Sequence, residues 1–161
     1  MAFPMDLASD VEIRPAQPSD LDQLARLREA LWPETPATEH CRELEPILHG
    51  NTPGSMPLIN FVAVTRDGTL VAFAEVDLRS HADGCDPSLP TGYLEGWFVA
   101  PHFRRRGVGA RLLAAAEDWS RAHGCVEMAS DTRVDNEVSQ SAHEALGFKV
   151  VDRCVHYRKT L

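Results

Sequence analysis

Apolar positions along the chain change spacing about every ten residues, and each change marks an element. Val11-Glu12-Ile13-Arg14-Pro15 alternates like a short strand, and Ser19 then stands as the cap before a helical face of Leu21, Leu24, Leu27 and Leu31 that Pro33 stops. A shorter helix is expected from Thr38 to His49. The runs Phe61 to Val64 and Leu70 to Val76 flank Arg66-Asp67-Gly68 and read as a hairpin. Ser80 to Thr91, rich in Asp, Gly, Pro and Ser, continues neither strand and is expected to be a mobile loop, placed to act as a lid beside whatever the sheet binds. Tyr93 to Val99 is the next strand. Gly107 to Ala122 is the main helix, with Val108, Leu112, Leu113, Ala116 and Trp119 inward and Gly124 as its stop. Val126 to Ser130 reads as a short buried strand, Glu137 to Leu146 as a helix closed by Gly147, and Lys149 to Lys159 as a long last strand. The order β-α-α-β-β-β-α-β-α-β, with no repeat, predicts an α/β (α+β) chain whose mixed sheet carries helices on both faces.

Composition narrows the class. The 161 residues suit one domain with a full core, the first ten (MAFPMDLASD) forming a loose tail. The formal net charge of −8 argues against nucleic acid as the main partner and fits attraction of a cationic ligand. Cys41, Cys85, Cys125 and Cys154 lie far apart, with no metal spacing and no disulfide framework, which points to a reducing cytoplasm. No basic start leads into an apolar run, and no stretch reaches ~18 apolar residues, so neither a signal peptide nor a membrane span is expected.

The segment YLEGWFVAPHFRRRGVGA (93–110) carries the candidate chemistry. A strand enters an Arg-x-x-Gly-x-Gly turn made of Arg104, Arg105, Arg106, Gly107, Val108 and Gly109, then an amphipathic helix. The glycines let the backbone approach an anion, and the amides from Arg104 to Ala110 sit at a helix start whose dipole favours negative charge. The arginines alone could equally form a solvated basic patch. Further along, Asp135-Asn136 is followed by Ser139, His143 and Gly147-Phe148.

Together these motifs resemble the GNAT superfamily of N-acetyltransferases, with Arg104, Gly107, Gly109, Asn136, Gly147 and Phe148 at the family's positions. Leu31-Trp32-Pro33, Gly84-Cys85-Asp86, Leu94-Glu95-Gly96, Ala129-Ser130-Asp131-Thr132 and His143-x-x-Leu-Gly-Phe look like the aminoglycoside 6′-N-acetyltransferases. The resemblance covers nearly the whole chain. It implies the GNAT fold, with a mixed, mostly antiparallel sheet, and a gap between strands 93–99 and 126–130 that admits the pantetheine arm of acetyl-CoA. It also implies direct acetyl transfer to an aminoglycoside or other polycationic amine, with no metal. The same fold acting on another amine (a polyamine, a protein N-terminus, a small metabolite) and a CoA-binding module without turnover are the alternatives.

Acetyl transfer needs an uncharged amine and a donor for the developing oxyanion. A lysine-like amine is neutral in only about one part in 2,500 at pH 7, a handicap of roughly 4.6 kcal/mol unless a carboxylate helps. Period-two alternation puts Glu95 on one face with Tyr93, Trp97 and Val99, as base and ammonium grip; otherwise it is a structural acid paired with a surface Lys or Arg. Asp131, at the end of the neighbouring strand, is expected to face the same opening, with Asp135 as the helix cap. A main-chain N–H within Trp97-Phe98-Val99 is the expected oxyanion donor. His143 stands where many family members carry a Tyr that protonates the departing thiolate. Asn136 is expected on the pantetheine arm or as a helix cap, Trp32 and Thr35 against a sugar ring, and His81 and Asp152 at the rim. The long last strand could pair across a two-fold axis, predicting a homodimer.

Overall fold

The computed structural model describes residues 11–52, 54 and 56–161; the expected tail, residues 1–10, lies outside them. Strands β1 (Val11–Pro15), β2 (Leu58–Thr65), β3 (Leu70–Arg79), β4 (Thr91–Val99) and β5 (Met128–Ser130) form one sheet in that order. The first four run antiparallel and β5 joins β4 in parallel. Helices α1 (Leu21–Leu31) and α2 (Ala37–Leu48) cover one face, where Leu24, Ala25 and Leu44 meet Val62, Val64 and Phe73. Helix α3 (Val108–Ala122) covers the other, with Val108, Leu112, Leu113 and Ala116 on Ala72, Ala74, Val76 and Leu94. At its edge lies α4 (Glu137–Ala145), followed by Leu146 and Phe148, which join that core.

The hairpin turns at Arg66-Asp67-Gly68, closed by Gly68 N–H donating to Thr65 O at 2.9 Å. Ser19 does not cap α1. A 3-10 turn over Pro18–Asp20 leads into that helix, and the buried Asp20 carboxylate accepts from Arg14 at 2.7 and 3.0 Å and from the Gln17 amide at 2.8 Å. The expected buried strand from Val126 shortens to Met128–Ser130, and Val126 itself is 70% exposed.

The expected last strand, Lys149 to Lys159, takes no regular secondary structure. Its partial alternation marks a segment suited to pairing, but pairing needs a neighbour, and Val150, Val151, Val155 and Tyr157 stand exposed instead.

One irregularity positions everything that follows. In the β3–β4 register Glu75 faces Gly96 while Val76 faces Leu94, so Glu95 is an extra residue in a β-bulge. Pairing of β4 with β5 ends at Leu94 opposite Ser130, and beyond it the two strands part.

Candidate active site

The bulge corrects the alternation expected for β4. Leu94, Trp97 and Val99 pack with α3, whereas Phe98 packs with α1 and α2, and the Gly96 backbone touches Trp32 at the end of α1. Glu95 therefore shares the α1 face with Tyr93, and Trp97 and Val99 go to the opposite one. The inserted residue turns the acid into a cleft between β4, α1 and α2 while the next large side chains support α3.

That cleft encloses about 290 Å³ and is lined by Trp32, Thr35, His40, Glu43, Glu75 and Glu95, with Arg28 and Glu34. Trp32 packs edge-on to Phe73 with ring centroids 6.1 Å apart, and the Arg28 guanidinium lies 5.2 Å from its ring. Arg28 forms ion pairs with Glu43 at 3.2 Å and Glu75 at 3.7 Å. The Glu75 Oε2 and Arg28 Nη1 atoms are buried without a hydrogen bond, so the cleft wall offers polar atoms that a polar ligand could satisfy.

Glu95 accepts from Arg79, whose guanidinium also stacks 3.3 Å from the centroid of the Tyr93 ring and lies 3.8 Å from Asp77. The structural alternative for Glu95 is thus realised in this state, the partner being Arg79. Burial pushes the Asp77 carboxyl up to about 7, helped by the negative charge of Glu95, and burial likewise raises Glu75 against the pull of Arg28. Tyr93 donates to Asp131 at 2.7 Å, and burial followed by that bond raises its phenol. Asp131 and Glu95 are therefore linked through Tyr93 and Arg79.

On the α3 side, Arg111 N–H makes the first helical bond, to Gly107 O at 3.0 Å, which leaves the amides of Val108, Gly109 and Ala110 as the open first turn. Gly107 holds φ of 77° and Arg105 holds 56°, a left-handed turn that curls the chain into the helix. Arg104 is a tie rather than an open donor: its amide bonds Pro101 O at 3.3 Å and its Nε bonds Val99 O at 2.8 Å. Gly109 has a different reason from the expected one, since a Cβ there would lie 2.8 Å from the Trp97 ring; it lets α3 sit on β4. Arg105 and Arg106 are exposed beside the turn. This curled turn with open amides fits a diphosphate, and Arg105, Arg106, Val108 and Gly109 are the residues that would hold it.

Ala100 N–H bonds Val71 O at 2.8 Å, so by alternation the main chain of Phe98 also turns to β3, and that of Trp97 and Val99 turns to the gap. Of the three amides expected to include the oxyanion donor, those two face the gap. Asn136 caps α4 by accepting from Ser139 N–H at 3.1 Å, and Asp135 does not cap but pairs with Arg133 at 3.0 Å. His143 sits between Trp97 and Phe148, with ring centroids at 5.5 and 5.2 Å, and its Nε2 meets Ser130 Oγ at 2.9 Å.

His81, Asp131 and Asp152 lie apart from the cleft, in a cavity of about 1220 Å³ between the loop after β3, the end of β5 and the C-terminal segment. The loop is held by Asp86 N–H on Glu127 at 2.7 Å, and Gly84 abuts Val151. Sequence reasoning missed Arg28, Glu75, Asp77, Arg79 and Ser130. Period-two spacing of Glu75, Asp77 and Arg79 on β3 was the available signal for three of them.

Residues 22–148 match the family model described as acetyltransferase (GNAT) family. An aminoglycoside N(6′)-acetyltransferase type 1 of Salmonella typhimurium is 41% identical over 150 residues, covering 92% of this chain and 99% of that protein. One from Serratia marcescens is 44% identical over 143 residues, covering 88% and 94%. The solved structure of AAC(6′)-Iy in complex with the bisubstrate analogue CoA-S-monomethyl-acetylneamine superposes with a TM-score of 0.82 at 40% identity, covering 94% of this chain and 99% of that one.

Proposed function

We propose, from the premise that this chain belongs to the acetyltransferase (GNAT) family, that it transfers acetyl from acetyl-CoA to the 6′-amino group of an aminoglycoside. The observation that carries the reading is the bulge at Glu95, which sets an acidic cleft and an anion-binding helix start on opposite faces of one strand, meeting at the gap beside β5. Acetylation removes a positive charge from the antibiotic, the change that defines a resistance enzyme.

Acetyl-CoA supplies an acyl group already activated as a thioester. The chain's own residues do the rest. Val108, Gly109 and Ala110 offer amides to the diphosphate, with Arg105, Arg106 and the Gly107 turn around it, and Asn136 at the gap offers its remaining amide hydrogens to the pantetheine arm. The amides of Trp97 and Val99 stabilise the oxyanion. Trp32 and Thr35 hold a sugar ring, and Glu95 takes the ammonium in place of Arg79 and then its proton. Asp131, His81 and Asp152 receive the outer amino groups, for a polyamine needs a counter-charge or hydrogen bond at each.

We assign the whole chain to one acetyltransferase domain, active in the cytoplasm as a homodimer. The open outer edge of β5 and the exposed valines of the C-terminal segment support the second copy. Thiol release from acetyl-CoA tests the function, with kanamycin and tobramycin set against spermidine and a lysine peptide. Turnover with the first pair alone is expected; equal turnover with spermidine or the peptide would move the substrate to another amine.

A further inference from the structure

Ser130 is the last residue of β5 paired with β4, and its hydroxyl faces two acceptors as long as the His143 ring is neutral. Its Oγ lies 3.0 Å from Leu94 O and 2.9 Å from His143 Nε2. On the far side of the ring, His143 Nδ1 lies 2.7 Å from Ser139 O, which can only accept, and 3.3 Å from Ser139 Oγ; the shorter contact, to the carbonyl, puts a proton on Nδ1. With that tautomer a neutral ring leaves Nε2 as an acceptor, and two acceptors then compete for the single hydroxyl proton. A second proton on Nε2 removes the conflict: Nε2–H donates to Oγ, and Oγ–H donates to Leu94 O. Trp97 and Phe148 pack against the ring in edge-to-face fashion, with centroids at 5.5 and 5.2 Å.

From this geometry, and resting on the acetyl-transfer reading above, we propose that His143 and Ser130 form a two-residue proton relay into the gap between β4 and β5. Ser130 Oγ delivers the proton to the sulfur released there. The balance is simple. The Oγ–H bond breaks as the S–H bond forms on the thiolate, and Nε2–H breaks as Oγ–H is restored. The ring keeps its Nδ1 proton, and water later replaces the one on Nε2. The amine's own proton leaves separately, through Glu95. His143 acts through Ser130 and so has a positioning and supplying role, because the hydroxyl already occupies Nε2.

The test pairs a spectrum of the free protein with kinetics. ¹⁵N NMR of labelled histidine is expected to show protons on both ring nitrogens of His143 in the resting protein, with an Nε2 resonance that shifts in Ser130→Ala and returns in Ser130→Thr. With acetyl-CoA and kanamycin, kcat should fall on the order of tenfold in Ser130→Ala with both KM values kept. That lies below the usual ~10²–10⁴ for general acid–base catalysis, because a thiolate leaves well unaided. Ser130→Thr should recover most of the rate, and His143→Gln should match Ser130→Ala. A ring lacking a proton on either nitrogen in the resting protein, an Nε2 resonance indifferent to Ser130, or an unchanged kcat in Ser130→Ala beside an active wild type would overturn the relay alone. A wild type with no turnover on any aminoglycoside would overturn the acetyl-transfer reading and the relay's role with it.

Discussion

Glu95 and Asp77 illustrate how one inserted residue sets the chemistry of its neighbours. Glu95 faces the cleft and is held by Arg79, so an incoming ammonium exchanges one cation for another and needs no newly desolvated charge. Glu95→Gln is expected to lower kcat with CoA affinity kept, because the turn proposed to hold the coenzyme lies across the sheet; steady-state rates beside CoA calorimetry check this, and an unchanged kcat would remove Glu95 from the reaction. Asp77 carries a folded-state pKa of about 7 against an ordinary 3.8. The folded state therefore holds the extra proton, and stability falls as pH rises from the ordinary carboxylate range through 7. Asp77→Asn removes that loss. Discounted for a quarter-exposed side chain, the expected gain is about 1 kcal/mol at pH 8, or ~2–4 °C in Tm, with little change at pH 4. A melting series across that range decides it, and an equal gain at both pH values would contradict the assigned cause.

At the scale of elements, the opening of α3 combines two glycines with separate jobs. Gly109→Ala would press a methyl group into the Trp97 ring at 2.8 Å, and overpacking of this kind costs about 1–3 kcal/mol, to be seen as a lower Tm. A Cβ added at Gly107 would meet no atom within 4 Å beyond its chain neighbours, so Gly107→Asp is expected to fold but to lose CoA binding, because it strains the left-handed turn and places a carboxylate beside the open amides. The strand-turn-helix pattern made this cradle legible in the chain, as did the hairpin at Asp67-Gly68 and the apolar stripe of α3. The bulge was not, since alternation fixes faces only while the ladder is regular, and an insertion shows only in the partner strand's register. For the same reason Trp97 and Val99 were placed on the face of Glu95. Arg79 stayed hidden too, because an ion pair depends on which strands become neighbours.

For the whole molecule, the segment after Phe148 is where the proposed second copy is to be tested. Lys149 to Lys159 reads as a strand in sequence, yet its valines are exposed, and β5 presents an edge of only three residues. We expect light scattering to give the mass of a dimer and removal of residues 149–161 to give a monomer; a full-length monomer would contradict the proposed assembly. The central claim joins both faces of β4 in one reaction, and a crystal structure with CoA and kanamycin bound together tests it most directly. The account predicts the diphosphate at ~3 Å from the amides of Val108 to Ala110 and the 6′-amine beside Glu95 at the gap, within ordinary hydrogen-bond reach. A diphosphate elsewhere, or an aminoglycoside whose 6′-amine lies away from Glu95, would contradict it.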